Sequence, residues 1–221
     1  MASVPPGEPP ERPQPPETPL VPDVPRAFEL KPHEPHPVEL EVSDDLRRSR
    51  LTVFFRFPIF LIVHYAWFYV WSIASLFAWV ANWIFTLILG RSPEMLRDFL
   101  GAYMRYSLHL FSYVSFLADP LPGWLAVRPY PVDTHVPEES QRRLVTLFRP
   151  ILAIPALVLS WVFLVIVQVL AIIGWFVCLI LGRIPKGLRD LGLYCLRYET
   201  QTRAYLTFLT DRYPSLNAPK F

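Results

Sequence analysis

Three small groups of residues carry the side-chain types that acid–base, metal or ligand chemistry needs. His33 and His36 flank Glu34 in "HEPH", an imidazole and carboxylate set of the kind that ligates zinc. The proline between them and the proline-rich surroundings argue against a formed metal site. His64 stands inside a long apolar run, where an ionisable side chain is a candidate for proton or ligand handling, or reaches the interface from the run's early part. Arg97-Asp98 and Arg189-Asp190 offer acid and base side by side. Neighbours on a helix point in different directions, so a local ion pair or cap is expected there rather than catalysis. Gly-rich phosphate loops, nucleophile elbows and metal-ligand spacings are absent from the sequence. The reading is of a protein that is not an enzyme and takes no cofactor and no metal. Cys178 and Cys195 have no paired spacing and read as small buried hydrophobes.

The elements that would position these residues come twice. "LILGRSPEMLRDF" (87–99) returns as "LILGRIPKGLRDL" (179–191), 92 residues on. The match extends from Pro37-Val38 and Pro131-Val132 through Phe55-Arg56 and Phe148-Arg149, then Asn82-Trp83 and Gly174-Trp175. It continues through Gly90-Arg91-x-Pro93 and Gly182-Arg183-x-Pro185, Leu96-Arg97-Asp98 and Leu188-Arg189-Asp190, Arg105-Tyr106 and Arg197-Tyr198, and Tyr113 and Tyr205. It closes on Phe116-Leu117-x-Asp119 and Phe208-Leu209-x-Asp211. A duplicated unit of about 85 to 90 residues accounts for this. His64 has no counterpart in the second copy. These motifs resemble the domain-of-unknown-function family DUF4389 over nearly all of residues 37–217. The second copy, with "LTDRYPSL", is the closer match, and the first departs at "LADPLPGW". The resemblance implies a helical membrane domain and no assigned activity.

Composition agrees with a membrane setting. Hydrophobic residues make up 52% of the 221 and charged residues 18%, below the ~25% of soluble domains. A net charge of +2 does not call for nucleic acid, and the arginines gather just outside the apolar runs as anchors. Thirteen of the 25 prolines fall within the first 37 residues. That stretch reads as a disordered, partly polyproline II tail, either a solvated spacer or a docking tail for a proline-motif reader.

Each copy predicts the same series of elements. Val38–Val42 alternates like a short strand, and 124–132 is a weaker second candidate. The runs 57–89 and 150–181 exceed the ~20 residues of a membrane crossing. A single helix of such length, about 50 Å, is too long for a simple span, so a hairpin with both arginine-flanked ends on one side competes with a long helix partly outside the bilayer. Gly90 and Gly182 end these runs, and Pro93 and Pro185 begin the next helix. That helix carries Arg97, Gly101, Arg105, His109 and Ser112 on one stripe, repeated as Arg189, Arg197 and Gln201. The pattern suits an amphipathic interfacial helix or a helix packed on its own hairpin. Asp119 and Asp211 are expected to terminate it.

The sequence thus predicts an all-α integral membrane protein of two like-oriented tandem repeats. Its parts are a tail at 1–36, repeats at 37–122 and 131–217, and a linker at 123–130. The residues marked for a structural or lipid-interface role are Gly90, Arg91, Pro93, Arg97, Asp98, Arg105, Tyr106, Tyr113 and Asp119, with Gly182, Arg183, Pro185, Arg189, Asp190, Arg197, Tyr198, Tyr205 and Asp211. The expected setting is the cell membrane, multi-pass, with a cytoplasmic tail, and the expected partners are lipids and other membrane proteins or a second copy. The role read from this is a scaffold or accessory subunit. The alternatives are membrane shaping, or lipid binding or transport between the repeats.

Overall fold

A computed structural model describes residues 36–56, 61–126, 128–135, 141 and 143–217. His33, Glu34 and the proline-rich stretch before His36 lie outside the described residues. The elements are β1 (Leu40–Val42), α1 (Arg50–Phe55), α2 (Leu61–Leu89), α3 (Glu94–Val114), β2 (Val132–Thr134), α4 (Arg143–Leu152), α5 (Ile154–Leu181) and α6 (Lys186–Leu206).

The apolar runs fold as continuous helices over Leu61–Leu89 and Ile154–Leu181, with no turn near the middle, which overturns the hairpin reading. From Leu61 to Leu89 there is neither glycine nor proline, and a turn there would strip backbone groups of their partners with no residue suited to make it. In α5, Pro155 occupies the first turn, where its missing N–H needs no partner. Gly90 and Gly182 end these helices with φ of 74° and 66°, the left-handed geometry that glycine adopts without penalty. Pro93 and Pro185 stand at the N-caps of α3 and α6.

α3 and α6 form the central layer and run antiparallel. Leu117, just beyond α3, packs on Gly192 near the start of α6, while Leu100 and Met104 cluster with Ala204 and Leu209 at the other end. One side of this pair carries an antiparallel ribbon of β1 and β2, in which Leu40 faces Thr134. With Val38 aligned on Val132, a shift of 94 residues, Leu40 and Thr134 are each other's counterparts. An approximate two-fold axis therefore passes through that pair.

The opposite side carries α2 and α5. α2 begins over α3, with Trp71 against Phe99, Tyr103 and Tyr106, and ends over the C-terminus of α6. There the Trp79 indole N–H donates to the Leu206 carbonyl at 2.8 Å and the Asn82 amide to that of Thr207 at 2.9 Å. α5 begins on α6, through Phe163 against Tyr194 and Tyr198, and ends beside the last turn of α3, where Gly174 faces Phe116. Both apolar helices thus run antiparallel to the helix that follows them. Because α3 and α6 are themselves antiparallel, α2 and α5 point in opposite directions, and the two copies are not like-oriented.

Two further expectations change. α3 and α6 do not lie as interfacial helices on the surface: the stripe of Arg105, His109, Arg197 and Gln201 faces the ribbon, and both helices are sandwiched between layers. The region 124–132 forms no strand before Val132 among its described residues. Cys178 and Cys195 are buried free thiols, as read from the sequence.

Gly192 gives the central contact a simple test. A Cβ there would come within 2.8 Å of a Leu117 methyl, whereas one at Gly101 meets nothing within 4 Å. Gly192→Ala is expected to cost about 1–3 kcal/mol through overpacking, and Gly101→Ala to stabilise by up to about 1 kcal/mol through helix propensity. Thermal unfolding of the two variants in detergent checks the contrast.

Candidate functional site

The repeated motif residues assemble into two equivalent clasps, each built around an arginine that precedes an apolar helix. Arg56 is 1% exposed. Its terminal nitrogens donate to the carbonyls of Tyr113 (2.8 Å), Ala118 (3.3 Å) and Asp119 (3.2 Å) and to the Asp119 carboxylate (2.8 Å). The guanidinium lies 3.9 Å from the Tyr113 ring centre and 4.8 Å from that of Phe116. Arg149 repeats the arrangement, donating to the carbonyls of Tyr205 and Thr210 and to the Asp211 carboxylate, over the rings of Tyr205 and Phe208.

The local backbone explains why these residues recur. α3 and α6 end in a non-glycine left-handed residue, Phe116 (φ 62°) and Phe208 (φ 63°), a conformation costing about 1–2 kcal/mol. The next amides fold back: Leu117 N–H donates to the Ser112 carbonyl and Leu209 N–H to that of Ala204. Both phenylalanine rings are fully buried, and the burial and the arginine bonds together offset the strain. Asp119 and Asp211 therefore act as ion partners of Arg56 and Arg149 rather than as simple helix terminators.

A second pair of repeated arginines joins the copies to each other. Arg105 grips Asp133 with two bonds of 2.9 and 2.6 Å, and His109 Nε2 lies 3.1 Å from the same carboxylate. Arg197 grips Glu39 with two bonds of 2.7 Å. In each case the helix of one copy holds the other copy at its strand, within β2 at Asp133 and just before β1 at Glu39. Burial pushes the Asp133 carboxyl up, but hydrogen bonds from His109, Arg105 and the Thr134 amide outweigh it and hold the group well below the usual carboxylate range. The bond to Asp133 in turn raises Arg105.

The exchange continues along the chain. The Gln141 amide donates to the Gly90 carbonyl, and the Arg48 amide to that of Gly182. Arg48 also bridges Asp44 (2.7 Å) and the Phe116 carbonyl (2.9 Å).

The other marked residues fall into plainer positions. Arg97–Asp98 and Arg189–Asp190 are local ion pairs, at 3.5 and 2.9 Å. Arg91 and Arg183 are exposed at the ends of α2 and α5, and the backbone at Arg183 pairs antiparallel with that at Arg47. Tyr106 reaches His64 Nδ1 at 2.9 Å, so His64 is buried against a phenol and the Trp124 ring. Tyr198 packs on Phe163. Among the described residues no group of three or more His, Cys, Asp or Glu is placed to hold a metal ion. With their terminal nitrogens committed to carbonyls and carboxylates, Arg56 and Arg149 organise structure rather than reacting groups.

The family described as "Domain of unknown function (DUF4389)" matches residues 50–125 and again 143–216. The chain belongs to the DUF4389 family. Both DUF4389 segments contain a complete arginine clasp, while β1, β2, Glu39 and Asp133 lie outside them. The ribbon that ties the copies together is therefore an addition to the matched units. No curated protein and no solved structure matches the chain.

Glu39 and Asp133 each follow the repeated Pro-Val, but nothing in the sequence marks their partners, and there Arg56 and Arg149 look like the other arginines that flank the apolar runs. The available signal is an arginine and an aspartate that recur on either side of each apolar run, 63 residues apart in the first copy and 62 in the second.

Two outcomes follow. Arg56→Ala is expected to cost about 3–5 kcal/mol, the usual loss when a buried pair is broken. Arg56→Lys restores little because an ammonium lacks the planar fork, and Asp119→Asn, at a partly exposed partner, costs less than either. The depressed Asp133 stabilises the fold above its unfolded value near 3.8, and that stabilisation disappears as pH falls below this value toward the folded one. Unfolding midpoints measured between pH 7 and 2 should fall more steeply at the acid end in the wild type than in Asp133→Asn.

Proposed function

We propose that this DUF4389 protein is a non-enzymatic component of the cell membrane. In this reading the α2–α5 layer holds it in the bilayer, and the ribbon layer is presented to water as a scaffold or accessory surface for a membrane assembly. The observation that carries the reading is its one-sidedness. α2 and α5 are long and apolar enough to cross a membrane, yet only 17% and 28% of their 18-residue apolar windows are buried, whereas the core helix of a soluble protein is mostly covered. Phe77, Val80, Trp161, Ile172 and Ile180 project from this layer. Glu41, Asp98 and His135 are exposed on the opposite face.

The same layering favours a flat seating in one leaflet. Arg105 and Arg197 stand halfway along α3 and α6, with the charged ribbon over them. In a pose with the helices upright, this charged face would sit at mid-bilayer, where each uncompensated charge costs at least about 2.5–3.5 kcal/mol. Lying flat keeps it in water. Arg91 at one end of the layer, and Arg47, Arg50, Arg183 and Lys186 at the other, then all meet the phosphates of one leaflet. Two apolar helices wedged into one leaflet would also shape the membrane.

A multi-pass crossing is the second reading, favoured by helices about 42 Å long. It requires another protein, or a second copy, over the ribbon. The proline-rich tail would serve either arrangement as a tether for a proline-motif reader.

Phe77→Asp combined with Trp161→Asp places charge at the middle of the apolar layer. The double variant is expected to leave the membrane pellet on alkaline extraction, while Glu41→Gln stays in it. Retention of the double variant at the wild-type level would count against this seating.

A further inference from the structure

A cavity of about 470 Å³ opens between α2 and the α4–α5 junction, with α3 and α6 as its floor. Its volume lies in the usual range for small-molecule sites, about 300–1,000 Å³. Exposed Leu76 and Leu157 stand at its edge on the apolar layer, and buried Leu100 and Met104 form part of the floor. The opening therefore faces the region that the proposed seating fills with acyl chains.

The lining is not uniformly apolar. The Ser72 hydroxyl bonds the Tyr103 hydroxyl at 2.8 Å. Ser75 lines the cavity, is 5% exposed, and its hydroxyl has no partner among the described residues. Unmet buried donors are costly, about 1–3 kcal/mol, and a ligand oxygen would satisfy this one. Arg203 lines the same cavity, with its guanidinium paired to Glu199 and set over the Phe111 ring. Burial raises the Glu199 carboxyl although Arg203 opposes it.

This set of polar groups occurs at only one of the two places that the two-fold relates. A shift of 92 residues places Leu164, Val167 and Cys195 where the cavity has Ser72, Ser75 and Tyr103, and Phe111 where it has Arg203. The duplicated frame does not require these groups, since the equivalent place is built without them.

We propose that this cavity binds one long acyl chain ending in a carboxyl or ester oxygen, with the oxygen at Ser75 and Arg203 and the chain running out between α2 and α5. The assignment rests on the membrane reading above. It adds to that reading a ligand class, and a reason for the two copies to differ.

The test uses the full chain in a steroid-based detergent, with cis-parinaric acid as a fluorescent fatty-acid probe and alkaline extraction of membranes run in parallel. The wild type should bind the probe saturably at one site per chain. Ser75→Leu, which fills the cavity and removes the hydroxyl, should weaken binding at least about tenfold and leave membrane retention unchanged. Leu164→Phe, at the matching position of the other copy, should change neither. Competition by palmitate alone would identify a free fatty acid as the ligand, and equal competition by a phospholipid would identify a membrane lipid chain. A wild type that stays in the membrane but binds no probe, or a Ser75→Leu variant that binds as well as wild type, overturns the cavity assignment alone. A wild type released by alkaline extraction overturns the membrane reading as well.

Discussion

A guanidinium taken out of water must find its hydrogen bonds in the protein, and the terminal nitrogens of Arg56 and Arg149 find theirs just beyond α3 and α6. The carbonyls they bind are those left open where α3 and α6 end, together with the Asp119 and Asp211 carboxylates. Helix ends always leave such groups unmet. Here the donor comes from the short segment that precedes the apolar helix, so meeting the requirement at the end of α3 or α6 also fixes where the corresponding apolar helix begins. The left-handed Phe116 and Phe208 are tolerated because the arginine and its aromatic partners bury the turn they create.

Neither repeat, taken with the strand that precedes its DUF4389 segment, is closed by its own contacts. Arg105 reaches Asp133 of the second copy, Arg197 reaches Glu39 of the first, and the strand of each copy pairs with the other's. α1 lies by α5, and α4 by α2. This exchange gives a two-fold arrangement whose axis runs from the ribbon through the α3–α6 pair toward the apolar layer. Polar and apolar surfaces are thereby sorted to opposite ends of that axis, which is the geometry a protein seated on one side of a membrane needs. The same exchange accounts for the antiparallel run of α2 and α5, because a two-fold across the layer reverses one helix relative to the other.

Much of this was legible in the residues. The repeat, the long apolar helices, the glycines at their ends and the prolines that open α3 and α6 follow from local backbone preferences, which act within a few positions. The stripe of Arg105, His109, Arg197 and Gln201 was legible as well, but not what it faces. A helical stripe of arginines looks the same whether it meets lipid phosphates, water or the strand of a sister copy, because the partners Asp133 and Glu39 lie 28 and 158 residues away in sequence. The hairpin expectation failed for a related reason. Arginines at both ends of each run do belong on one side in the flat seating proposed here, but an antiparallel pair lying in a leaflet meets that requirement without a turn.

The most direct measurement compares the two ends of the apolar layer. Single cysteines at Arg91→Cys and Arg183→Cys, in a chain whose buried Cys178 and Cys195 are replaced by alanine, are treated with an impermeant maleimide in intact and in permeabilised cells. A protein seated flat in one leaflet labels alike at both positions, from the same side of the membrane. Labelling of one position in intact cells and of the other only after permeabilisation would show that α2 and α5 cross the bilayer in opposite directions, and would contradict the seating in a single leaflet.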